Sequence, residues 1–372
     1  MNNEGRDIRV IISGGGTGGH IFPAISIANA LRRINPEAQI LFVGALGRME
    51  MTRVPEAGYE IHGLPVAGFV RKKYSPANIA VVWKLMRSML LARKIIRDFR
   101  PDIVVGVGGY ASGPVLKQAQ RMGIPTVIQE QNSYAGVTNR LLAARATAIC
   151  VAYDGMEKYF PAEKIIKTGN PVRQSYENLS SLKDEAYRFF GLENGKKVIL
   201  VLGGSLGAGA INNSIAGGLG RIATEGTQLI WQTGSQYFES MREAAGKVNL
   251  PGVHVMGFIN RMDLAYAAAD VIISRAGAGT ISELELVGKP VILMPSPNVA
   301  EDHQTHNALS LADRNAAVMI RDAEADAKLL DTAFGLLKNE LRCRELSENI
   351  KAMAYKDADM AIAQEILKQI GK

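Results

Sequence analysis

The chain has 372 residues, 47% of them hydrophobic, with 38 glycines and a formal net charge of +7, the composition of an ordinary globular α/β protein of two or three domains. Its start, MNNEGRDIRV, lacks the charged-then-apolar layout of a signal peptide, and no uncharged apolar run reaches the roughly 18 residues that span a bilayer, so a cytoplasmic chain is expected. Cys150 and Cys343 are far apart and not in CxxC spacing, which points to a reducing compartment and away from disulfides or structural zinc.

In chain order, Ile8 to Ser13 reads as a buried strand, Gly14 to Gly19 as a glycine-rich turn and Pro23 to Leu31 as a helix. Glycine lets a backbone approach a ligand closely, and a helix N-terminus offers unpaired N–H groups and a partial positive charge to a phosphate. Gln39 to Val43 is the next strand.

Between residues 71 and 100 there are nine basic residues (Arg71, Lys72, Lys73, Lys84, Arg87, Arg93, Lys94, Arg97 and Arg100) and one acid, Asp98, a local net charge of +8 against +7 for the whole chain. The basic pI is the property of this one segment, which weighs against a nucleic-acid reading. On a helical wheel Leu85, Met89, Ala92, Ile96 and Phe99 form the stripe expected to pack on the core. Trp83, Met86 and Leu90 fall on the opposite side among Arg87, Arg93, Lys94 and Arg97. That face is either further core with snorkelling cations or a membrane-surface patch whose cations meet anionic head groups.

Asp102 to Val107, Thr126 to Gln129 and Ala148 to Val151 continue an alternation of strands and helices, the doubly wound parallel pattern whose ligands collect at the carboxyl ends of strands. Three loops fall at such ends: GVGGYASGP from Gly106, QEQNSYAG from Gln129 and GNPVR from Gly169. A polar stretch follows, so the boundaries read 1–168 for a first Rossmann-like domain, 169–195 for a junction, 196–350 for a second Rossmann-like domain and 351–372 for a C-terminal helical segment packing back on the first.

The second half repeats the architecture. Val198 to Leu202 is a strand, and Gly203, Gly204 and Gly207 carry a second glycine turn into a helix. Gln228 to Trp231, Val253 to Met256, Val271 to Ser274 and Val291 to Met294 are further strands. After Ser274 a Gly-Ala turn leads to a helix beginning near Thr280 and bearing Glu283 one turn in, where backbone N–H groups can hold a diphosphate and the carboxylate can accept from ribose hydroxyls. Thr280 and Glu283 also fit a capping box. Downstream, His303 and His306 lack an evident third metal ligand, and Asp357-Ala358-Asp359 is the one literal Asp-x-Asp, in a helical stretch. Two glycine turns, each opening its own α/β run, predict two similar domains facing a cleft with a phosphorylated ligand between them.

GGGTGGHIFPA, GGYASGP, QEQNSYAG, GNPVR, GGSLGA, GFINRM, SRAGAGTISEL and HQTHNA together resemble, in order and spacing over nearly the whole chain, the bacterial peptidoglycan glycosyltransferases that add N-acetylglucosamine to lipid I to make lipid II. The resemblance implies the two-domain GT-B fold and an inverting, metal-independent transfer from UDP-N-acetylglucosamine with no cofactor. It also implies a peripheral location on the inner face of the cell membrane, contact with anionic lipids, and work beside other cell-wall enzymes. It puts Ser205 and the Ala278, Gly279, Thr280 turn, with Ile281 and Ser282 behind it, at the donor diphosphate. Glu283 falls at the ribose, the backbone of Ile259 at the uracil, and Arg173 near the base. Asn132 and Gln304 fall at the transferred sugar, with Thr17, Gly18 and Gly19 facing it from the first domain, where the acceptor diphosphate is also expected. The family commonly has Gln where this chain has Leu206, and His where it has Gln129.

For the general base, His20 is the first candidate, since it ends the first loop and a histidine titrates near working pH, and Glu130 is the second. A helix-start histidine bonded to backbone is the plain alternative. Two other functions fit parts of the chain. A non-hydrolysing UDP-N-acetylglucosamine epimerase shares the architecture but needs no basic apolar face, as another UDP-sugar lipid glycosyltransferase would. A dinucleotide oxidoreductase explains one glycine loop, but GGGTGGH departs from GxGxxG and no acid near Val43 is placed for a ribose.

Overall fold

The computed structural model describes residues 8–66, 77–172, 176, 178–204, 206–248, 250–299 and 302–370. Arg71, Lys72, Lys73, Arg173 and Ser205 lie outside them. The chain divides into two compact units, Met1–Val172 with Lys356–Lys372, and Arg173–Tyr355.

The first unit runs β1 (Arg9–Ser13), α1 (Gly18–Ile34), β2 (Gln39–Ala45), α2 (Glu50–Glu56), β3 (Glu60–Leu64), α3 (Ala77–Phe99), β4 (Ile103–Gly106), α4 (Ser112–Arg121), β5 (Thr126–Glu130), α5 (Val137–Ala143), β6 (Ala148–Val151) and β7 (Ile165–Lys167). Its strands form one parallel sheet of seven in the order β3-β2-β1-β4-β5-β6-β7. The central strands are continuous apolar runs because helices cover both faces of a parallel sheet, leaving no side for alternating polar residues.

The second unit runs α6 (Lys183–Phe190), β8 (Val198–Leu202), α7 (Gly209–Gly217), α8 (Leu219–Thr224), β9 (Gln228–Gln232), α9 (Phe238–Val248), β10 (Val253–Met256), α10 (Met262–Ala268), β11 (Val271–Ser274), α11 (Ala278–Val287), β12 (Val291–Leu293), α12 (His303–Ala312), β13 (Val318–Met319), α13 (Ala325–Lys338) and α14 (Glu340–Ala352). Its six strands pair in parallel as β10-β9-β8-β11-β12-β13, the same winding as the first sheet.

In each sheet the winding reverses beside the first strand, between β1 and β4 and between β8 and β11. A crevice opens at the carboxyl ends of strands at such a switch point. Both glycine turns lie there. The last helix, α15 (Ala358–Lys368), belongs to the first unit: Ile362, Ala363 and Ile366 are fully buried in its core, and Asp359 pairs with Arg33 of α1. Asp359 of the Asp-x-Asp is thus committed to a structural ion pair. Cys150 is buried in β6, and burial pushes its thiol up to about 12, which keeps it protonated and inert.

Candidate active site

In the first unit the site grows from β1. The Val107 N–H donates to Ser13 O at 2.9 Å, so the loops after β1 and β4 leave the sheet side by side. They meet backbone to backbone: a Cβ on Gly109 would lie 2.3 Å from Gly15 O, and one on Gly14 would lie 2.2 Å from Val107 Cγ2. Only glycine permits that approach. Thr17 is the N-cap of α1, with Gly18 and Gly19 as its first two residues. The Thr17 side chain does not cap the helix; its Oγ1 lies 3.1 Å from His20 Nδ1. The histidine therefore bonds to a side-chain hydroxyl, and its ring lies against Gly108, where a Cβ would stand 2.9 Å from Nε2.

Behind this face, a buried network of amides ties three loops together. Gln131 Nε2 donates to Val107 O at 2.8 Å, Asn170 Nδ2 to Gln131 O at 2.9 Å, and Gln129 Nε2 to Asn170 Oδ1 at 3.0 Å. Gln129, one of the two positions noted above where the chain differs from the pattern it resembles, is fully buried here and serves as a link.

Glu130, the second candidate for the base, is buried at the end of β5. Its buried carboxylate accepts from the N–H groups of Gly136 at 3.0 Å and Asn132 at 3.1 Å, and from Asn139 Nδ2 at 2.9 Å. Burial raises its proton affinity, and these hydrogen bonds oppose the rise. Both oxygens are engaged in folding the loop that carries Asn132.

In the second unit the turn after β8 leads through Gly207, whose φ is +94°, into α7, with Leu206 exposed beside it. Across the switch point, α11 begins at Ala278 with Gly277 as its N-cap, and the Ile281 N–H donates to Gly277 O at 2.9 Å. The helix thus starts two residues before Thr280. Thr280 lies inside the first turn, so a Thr280–Glu283 capping box does not form, and Ala278, Gly279 and Thr280 are the residues whose N–H groups end the helix. Glu283 is half-buried and accepts from the buried Tyr266 hydroxyl at 3.4 Å. Gln232 Oε1 takes the Ile259 N–H at 3.1 Å, and Gln304 Oε1 takes the Ser296 N–H at 2.9 Å.

Sequence reasoning missed Arg275. It donates to Met294 O at 3.0 Å and to Asp322 Oδ2 at 3.0 Å, clamping the loop after β11 to the strand next door. An arginine inside a loop of small residues is the signal that could have found it. Among the described residues no group of three or more His, Cys, Asp or Glu is arranged to hold a metal.

α3 carries the basic segment. Val81, Ser88, Ala92 and Ile96 face inward, while Leu85, expected in that stripe, is exposed. Ser88 takes the inward place because the helix packs closely on α4, whose Gln118 Nε2 donates to Met89 O at 3.1 Å. Trp83, Met86 and Leu90 are 58%, 56% and 69% exposed, so this face is not core. The Arg87 guanidinium stands 5.8 Å from the centre of the Trp83 ring. Among the described residues no helix is long and apolar enough to cross a membrane.

Two Rossmann-like units, each with its glycine turn at a switch point, define the GT-B class of glycosyltransferase, and the chain matches the Glycosyltransferase family 28 N-terminal domain over residues 10–151 and the C-terminal domain over residues 198–364. Within that class, it is 60% identical over 367 residues to the UDP-N-acetylglucosamine--N-acetylmuramyl-(pentapeptide) pyrophosphoryl-undecaprenol N-acetylglucosamine transferase of Phocaeicola vulgatus, covering 98% of this chain and 97% of the relative. The enzyme of the same name from Bacteroides fragilis is 60% identical over 373 residues, 99% of this chain and 97% of its own. A crystal structure of Acinetobacter baumannii MurG superposes with a TM-score of 0.79 at 28% identity, covering 97% of this chain and 99% of that one. The chain belongs to this family of N-acetylglucosamine transferases.

Proposed function

We propose that the chain transfers N-acetylglucosamine from UDP-N-acetylglucosamine to the 4-hydroxyl of the N-acetylmuramoyl unit of lipid I, with inversion, giving lipid II and UDP. The observation that carries this reading is the 60% identity, over nearly the full length, to enzymes named for that transfer. An epimerase of the same architecture is not favoured by it.

The chemistry follows from groups already described. The bond from the sugar's anomeric carbon to the UDP oxygen breaks as the acceptor hydroxyl attacks from the opposite face, so negative charge grows on the departing diphosphate. The N-termini of α7 and α11, on the adjacent strands β8 and β11, supply backbone N–H groups and dipoles for that charge. With Ser205, the residues Ala278 to Ser282 are assigned to the diphosphate, Glu283 to the ribose hydroxyls, Ile259 and Arg173 to the base, and Asn132 and Gln304 to the sugar. Because Gln232 holds the Ile259 N–H, it is the Ile259 carbonyl that is assigned to a donor group of the uracil.

His20 is assigned the acceptor's proton, with Thr17, Gly18 and Gly19 around it. This role requires a particular tautomer: Nδ1–H donates to Thr17 Oγ1, and Nε2 then carries the lone pair. The exposed Trp83, Met86 and Leu90 among Arg87, Arg93, Lys94 and Arg97 are assigned to an anionic membrane surface, since a polyprenyl acceptor stays in the bilayer and the enzyme must come to it. That places the protein at the cytoplasmic face of the membrane, beside other cell-wall enzymes.

Incubation with labelled UDP-N-acetylglucosamine, with and without lipid I, tests the reading. Label should pass to lipid only when lipid I is present; conversion of the sugar nucleotide without lipid would make the protein an epimerase instead.

A further inference from the structure

Glu50 opens α2 and is 1% exposed, yet no part of the transfer scheme uses it. Its Oε1 accepts the Ala45 N–H at 2.9 Å, and its two oxygens share the Gly16 N–H at 3.1 and 3.0 Å. The carboxylate fills the space under the turn: a Cβ on Gly15 would lie 2.1 Å from Oε1, and one on Gly44 would lie 2.6 Å from Glu50 Cγ. The N–H that a glycine turn ordinarily holds out to an anion is here committed to the protein's own anion. At the second turn the corresponding close neighbours are neutral. Gly203 donates to Gln232 O at 2.9 Å, and a Cβ on Gly207 would meet Thr233 O and the Tyr237 ring.

The contacts run on from Glu50 to the reacting face. Glu50 fixes Gly15 and Gly16; Gly15 O stands against Gly109; and Gly108, beside it, is the residue that bounds the His20 ring. We propose that Glu50 is a positioning residue for the transfer, whose carboxylate sets the first glycine turn so that Thr17 and His20 are held where the acceptor hydroxyl must lose its proton. The proposal rests on the assignment of His20 above and adds a residue that does not touch substrate.

Two variants of the full chain test it against a short, water-soluble lipid I analogue. In Glu50→Gln the side-chain oxygen still accepts from Ala45 and Gly16, but an NH2 group faces the Gly16 N–H; in Glu50→Ala all these bonds are lost. Displacements of about 1 Å in a catalytic arrangement cost on the order of 100-fold. The expected result is a kcat lowered by about 10-fold in the glutamine variant and about 100-fold in the alanine variant, with the KM for UDP-N-acetylglucosamine within about twofold of the parent. Should the alanine variant fail to fold, the glutamine variant decides alone, with its thermal melting measured alongside. Unchanged kcat in the folded variants, or a donor KM rising in step with the fall in kcat, overturns the proposal. A parent chain that transfers nothing overturns the transferase reading and this one with it, whereas an active parent with unaffected variants overturns this one alone.

Discussion

Glu283 is held at 3.4 Å by the Tyr266 hydroxyl, a buried group whose own ionisation lies well above the usual range for a tyrosine, chiefly because of burial and next because of the Glu283 charge. That hydroxyl stays protonated and remains a donor, which aims the carboxylate. Charge-assisted hydrogen bonds of the kind proposed to the ribose are worth about 1.5–3 kcal/mol, so Glu283→Ala should raise the donor KM by about tenfold or more while circular dichroism stays unchanged. An unaltered KM would leave Glu283 with helix packing as its role. For His20→Ala, loss of a general base predicts a fall in turnover of roughly two to four decades with little change in donor affinity. A fall below tenfold would make the ring a spacer against Gly108. The residues of these loops were readable in the sequence because glycine, threonine and histidine at a strand's end already state a local requirement. Glu50, Gln131 and Arg275 were not, since each acts on a segment that is distant along the chain. Nothing in the neighbours of Glu50 reveals that its partner is Gly16.

Among the elements, the central strands were legible as apolar runs between turn residues, whereas β3, β7 and β13 were not. β13 has two residues and β7 three, and β3 alternates polar and apolar side chains as half-exposed outer strands do. The start of α11 was displaced for a related reason: backbone geometry at Gly277 begins the helix, and threonine's capping preference further along does not. α3 is where periodicity proved least decisive, because the wheel offered two apolar faces and only packing against α4 chooses between them. The exposed one, with Trp83, Met86 and Leu90, carries the membrane expectation. Each cation near an anionic surface contributes about 1 kcal/mol and is screened by salt, while apolar insertion is not. Sedimentation with vesicles should show binding to anionic lipid, hardly any to neutral lipid, and weakening by salt. Trp83→Ser combined with Leu90→Ser should weaken it further and leave activity on a water-soluble acceptor intact. A double variant that binds anionic vesicles like the parent would place the membrane contact on another surface.

At the scale of the whole molecule, the first unit is assembled from two stretches of chain, with α15 completing the layer against α1. Ile362 and Ile366 are each fully buried in that layer, and truncating a buried isoleucine costs about 2–5 kcal/mol. Ile362→Ala and Ile366→Ala should therefore lower the melting temperature of the first unit and leave the UDP binding proposed for the second unchanged at moderate temperature. Equal loss of UDP binding in either variant would show the two units to melt together. The residues from Arg173 to Tyr355 stand in the chain as an insertion within the other unit. Synthesis on the ribosome proceeds from the N-terminus, and domains generally fold as units as they emerge. Here that order is reversed for completion: the unit begun first, with its glycine turn and His20, waits with an open face on α1 until α15 has been made, by which time the inserted unit has its whole sequence. The nascent protein thus has the whole sequence of its proposed donor unit before that of its proposed acceptor unit is complete, and until then the apolar face of α1 that α15 covers stays open.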